Sequence, residues 1–170
     1  MNNKMNKNIV PEDFTLKLSL VDSLPVIFFG LTSIILGISI NSFIFIIGAI
    51  ITFLSGLLKV IWKMIVALKK RNIWVLFIQM RIFMPLGFLV MIIGFVLKCI
   101  NSDMSIFFNS LLNPFSLVFL IIGLLGMVLM VIFSIKLDSS NLKSNWIEQI
   151  CNAFSQLSFF IGFLLAFLLK

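Results

Sequence analysis

Glu148, Asn152 and Gln156 stand four residues apart in an otherwise apolar stretch, with Ser155 beside them. On a helix that spacing gathers them on one face. A stripe of one carboxylate, two amides and a hydroxyl could line a path for a cation, a proton or a small polar solute, because polar groups inside a membrane usually face a bundle interior. A structural use competes with that. Asn145-Trp146-Ile147-Glu148 has the spacing of a helix-capping arrangement, with Glu148 at the third helical position, and Trp146 marks an interface. Capping is the preferred reading of Glu148. Asn152 and Gln156 lie deeper, where hydrogen bonds to a neighbouring helix are sufficient reason for them.

Gln79 and Arg81 form a second polar group and could meet Glu148 as a gate or clamp. Arg81 is more simply explained by snorkelling, its long stem returning the charge to the interface. The basic residues Lys59, Lys63, Lys69, Lys70 and Arg71 could contact anionic lipid headgroups. The plainer reading of such a cluster is a topology signal. Histidine is absent from the chain, which removes His-based acid–base catalysis and His-ligated metal or haem. There is no Cys-x-x-Cys, no phosphate-cradling glycine loop and no Gly-x-Ser-x-Gly elbow. Asp22, Asp103 and Asp138 are placed in loops or at helix starts, so no intramembrane aspartate pair is expected. No metal or cofactor is implied, and no enzyme is argued for.

The elements that carry these residues follow from composition. Charged residues make up 11% of the chain and hydrophobic ones 61%, against about 25% charged in a soluble domain. So little charge cannot cover a globular surface in water. The net charge of +7 does not point to nucleic acid, since most Lys and Arg residues flank apolar runs. The expected fold is all-α: a polytopic membrane helix bundle of about five transmembrane helices, with one or two short interfacial helices.

The spans are expected at about 24–40, 43–61, 73–98, 114–136 and 146–169. The polar segment 1–23 precedes them and lacks the charged-then-apolar plan of a secretory leader, so the first span should persist in the mature protein. An interfacial helix begun by Pro11-Glu12-Asp13 is expected there. Asp22 and Ser23 can cap the first span, with Pro25 in its first turn. Asn41-Ser42 must turn the chain, since an unbroken run would far exceed the ~20 residues a bilayer needs. Beyond Lys59, Val60, Ile61, Met64, Ile65 and Leu68 read as an amphipathic extension at the headgroups, with Trp62 as an anchor. Pro85 should kink the third span. Met104, Phe107, Phe108, Leu111 and Leu112 make one helical stripe, read as a short helix on the outer face with Ser102 or Asp103 capping it. Asn113-Pro114 opens the fourth span.

With the N-terminus in the cytoplasm, all of the 13 Lys and Arg residues except Lys98 and Lys170 fall inside, as the positive-inside rule asks. The C-terminus is then outside, and Cys99 and Cys151 lie at opposite faces, unsuited to a disulfide. A composition heavy in Ile, Asn, Lys and Phe suggests an AT-rich bacterial genome and hence a plasma membrane. Ser33 and Gly37, Gly48, Thr52 and Gly56, and Ser158 and Gly162 recur at four-residue spacing, which lets helices approach closely and would suit a partner membrane protein. The leading functional reading is a non-catalytic membrane subunit or scaffold. The alternative is a small transporter or substrate-binding component for a small polar solute or ion, and behind it a membrane-embedded enzyme acting on lipid.

Overall fold

A computed structural model describes residues 15–137 and 142–169, all of whose regular structure is helical. The helices are α1 (Leu16–Ser39), α2 (Phe43–Lys69), α3 (Trp74–Asn101), α4 (Ser105–Leu111), α5 (Pro114–Lys136) and α6 (Leu142–Leu168). All but α4 are long and apolar enough to cross a membrane. The protein is therefore an all-α, multi-pass helix bundle.

The helix ends show why the chain turns where it does. Asn41 adopts a left-handed φ of 51°, a conformation that asparagine tolerates better than most residues. Ser42 then caps α2 by accepting from Phe45 N at 3.4 Å, and its hydroxyl donates to Gly94 O of α3 at 3.1 Å. Lys70, at φ 49°, ends α2. Asn113 Oδ1 accepts from Phe115 N at 3.1 Å and Pro114 occupies the first turn of α5, as the sequence implied.

Three expected boundaries move. α1 starts at Leu16, capped by Thr15, whose hydroxyl accepts from Leu18 N at 3.2 Å. Asp22, Ser23 and Pro25 therefore sit well inside the helix, and Leu16 to Leu20 form its first turns rather than a separate interfacial helix. Pro11 to Phe14, like the loop residue Asp138, lie outside the described residues. The extension after Lys59 is the continuation of α2, and one side of it packs within the bundle through Val60, Trp62 and Val66. Trp62 is buried, donates to Asn72 Oδ1 at 3.0 Å and meets the Phe77 ring at 5.1 Å. α6 begins at Leu142, so Asn145 is already within it and cannot be its cap. α3 runs unbroken through Pro85.

The packing order is α3 on α2, α2 on α1, α1 on α6 and α6 on α5, while α3 and α5 share no substantial contact. The bundle is thus an open arc centred on α1. Its tightest seam joins α2 to α3: a Cβ on Gly48 would lie 2.6 Å from Met91 N, and one on Gly87 would lie 2.8 Å from Thr52 N. Gly37 faces Ile46, Gly56 faces Val26 and Gly162 faces Leu120. The small-residue stripes are therefore occupied within the chain. At one end α4 closes the arc, its Phe107 and the preceding Met104 packing on Ile40, Phe45, Ala49 and Met91. The turn at Asn41 is at this end, so α1 starts and α2 finishes at the other.

Candidate functional site

At the end away from α4, the α1–α2 hairpin brings together two charged residues nearly equidistant from the Asn41 turn. Asp22 Oδ2 lies 2.6 Å from Lys63 Nζ, and both side chains are almost wholly buried. Either charge left alone at this depth would be costly by several kcal/mol, so each requires the other. The next charges around Lys63 are Lys59 and Glu148. Sequence reasoning missed this pair because it gave Asp22 to a helix start and Lys63 to an exposed basic cluster. The available signal was the hairpin itself, which folds the two positions onto one level.

Beside the pair a groove runs along α1. Its first part, about 370 Å³, is lined by Asp22 and Pro25 of α1, Lys59 of α2, Pro85 of α3, and Asn152 and Gln156 of α6. Its second part, about 410 Å³, is bounded by Thr32, Leu36, Phe45, Met91, Met127 and Phe163. Phe29, Phe88 and Gln156 border both, so the two parts are continuous. Asp22 shares the first part with Asn152, and Leu36 shares the second with Phe163, so α1 and α6 run parallel. One end of the groove carries charge and amides, and the rest is apolar.

The residues singled out in the sequence are divided by this geometry. Asn152 and Gln156 line the groove, and Gln156 Nε2 also approaches Met127 Sδ at 3.7 Å. Ser155 is buried on a different side of α6, against Gly126 of α5, and donates to Cys151 O at 2.8 Å. Glu148 is half-buried a turn before Asn152. Lys63 is held by Asp22, Lys59 borders the groove, and Lys69, Lys70 and Arg71 are exposed at the α2–α3 turn. Gln79 Nε2 donates to Ser55 O at 3.3 Å, tying α3 to α2. Arg81 is exposed, with its guanidinium 4.5 Å from the Phe77 ring centroid. Neither Gln79 nor Arg81 is joined to Glu148 by any contact the structure places.

Cys99 and Cys151 are both free thiols. Among the described residues no group of three His, Cys, Asp or Glu side chains could hold a metal ion. No protein-family model, curated protein or solved structure matches the chain.

Proposed function

We propose that this chain is a non-catalytic, ligand-binding component of a plasma membrane, serving as an accessory subunit to a larger activity. The observation that carries this reading is the groove across α1, where Asp22, Lys59, Asn152 and Gln156 converge at one end of an otherwise apolar channel. A deep, mostly apolar concavity with a few convergent polar groups is the usual form of a binding site. The chain brings no histidine to it, and the hydroxyls of Thr32 and Thr52 are engaged by the carbonyls of Phe28 and Gly48, at 2.7 and 2.9 Å. That favours recognition over chemistry. The distribution of Lys and Arg supports a cytoplasmic N-terminus and an outside C-terminus, which puts the charged end of the groove at the cytoplasmic face.

The test is the double variant Asn152→Leu/Gln156→Leu, which removes both amides from the groove and keeps side chains of similar size. Expressed at wild-type level in a deletion strain, it should fail to restore whatever phenotype the deletion causes. Full complementation would remove the groove as the working site.

A further inference from the structure

We infer that the groove holds an anionic glycerophospholipid drawn sideways from the bilayer, its headgroup at Lys59 and one chain along α1; this deepens the binding role proposed above and depends on it. Three features of the groove select this occupant.

The first is charge. Asp22 borders the polar end but is neutralised by Lys63, whereas among the described residues no ion pair engages Lys59. Glu148 does not line the groove, so the unmatched charge among its lining residues is a cation, with the amides of Asn152 and Gln156 nearby as further donors. A phosphate monoanion matches that set.

The second is the character of the remainder. Beyond Gln156 the lining carries no charged residue, and the Thr32 and Thr52 hydroxyls are turned to their own helix carbonyls. An ion or a small polar solute would find only the Ser33 hydroxyl there to replace its water. A hydrocarbon chain would find Leu36, Phe45, Phe159 and Phe163. From Asp22 to Leu36 the groove follows α1 for ~21 Å at 1.5 Å per residue. That exceeds half of the ~30 Å hydrocarbon core, so a full lipid chain can be accommodated.

The third is access. The arc is open between α3 and α5, and the rim residues Phe88 and Met127 are 50% and 40% exposed. A lipid can slide in from the membrane through that gap without leaving the hydrocarbon.

The experiment is native mass spectrometry of the full chain in mild detergent, after exposure to an equimolar mixture of phosphatidylglycerol and phosphatidylcholine with identical chains. The wild-type protein should retain one phosphatidylglycerol with about tenfold preference, the ratio that ~1.4 kcal/mol of selectivity gives. Lys59→Gln should bring the ratio to about one, and Gln156→Trp, which fills the junction of the two cavities, should reduce retention of both lipids. Lys69→Gln/Lys70→Gln, at the exposed turn, should keep the wild-type ratio. Equal retention of the two lipids by the wild type, or an unchanged preference in Lys59→Gln, would overturn the assignment. Should Gln156→Trp not fold, Lys59→Gln still decides, since it alters only a side chain at the groove mouth. If no lipid is retained while Asn152→Leu/Gln156→Leu still abolishes function, the groove remains the working site and its ligand is not a lipid. If the lipid is retained with that preference while the double variant functions normally, the lipid assignment stands and the functional role fails.

Discussion

At the α4 end, Ile40, Phe45, Ala49, Met91, Met104 and Phe107 interlock without a charged group among them. At the opposite end, Asp22 and Lys63 bridge α1 and α2 beside an open groove. The first closure is non-directional: apolar contacts tolerate small shifts, and its Phe45 and Met91 also bound the apolar part of the groove. The second depends on two charges meeting at one point, and its polar neighbours cannot pack as densely as hydrocarbon. A bundle with one dry end and one charged end has a rigid closure and a mouth, and the mouth is where recognition belongs.

The sharpest way to break that contrast is Asp22→Ala. It leaves the Lys63 ammonium buried without its partner, and removing one member of such a pair costs about 3–5 kcal/mol. Unfolding in a denaturing detergent titration should register the loss, and Asp22→Ala/Lys63→Met should recover most of it. A double variant no more stable than the single one would mean that the pair is not what joins α1 to α2 there.

At the dry end, Phe107→Ala should cost about 3 kcal/mol, the lower part of the range for a buried aromatic. It should loosen α4 and leave the headgroup preference set at Lys59 unchanged. Amide exchange read by mass spectrometry would show faster exchange over Ser105–Leu111 alone. Equal acceleration near Asp22 would show that the two ends are coupled after all.

The smallest effect concerns Asp103, which precedes α4. Its Oδ1 accepts from Ser105 N at 2.8 Å, and bonds from the backbone and then the side chain of Ser105 hold its carboxyl below the usual 3.8. A carboxyl depressed in the folded state supports that state at pH values above its unfolded pKa, and the support is lost as pH falls through the folded value. A carbon-13 NMR titration should give a midpoint under 3.8, rising in Ser105→Ala. A midpoint at the ordinary value would mean that Asp103 does not hold the start of α4.

The helical architecture was legible because burial in lipid is decided segment by segment: a run of apolar residues long enough to cross needs no information about its neighbours. The hairpin at Asn41, the start at Asn113-Pro114 and the stripe of α4 were legible for the same local reason. Asp22 was not. A polar residue near the start of an apolar run reads as a cap, and only Thr15 taking that role pushes Asp22 inward. The same shift at α6 removed Asn145 as a cap and left Glu148 within the helix.

The stripe on α6 was half legible. Periodicity put Glu148, Asn152, Ser155 and Gln156 near one another, but which of them faced the groove depended on where α1 and α5 pressed against α6. Sequence by itself determined the number of spanning helices, the places where the chain turns and the clustering of basic residues. Tertiary structure alone decided that Asp22 meets Lys63, that Lys59 is left over, and that α1 rather than α6 is the floor of the groove. The physical reason is that hydropathy belongs to a residue and its near neighbours, whereas the partner of a buried charge belongs to whichever helix packing brings alongside.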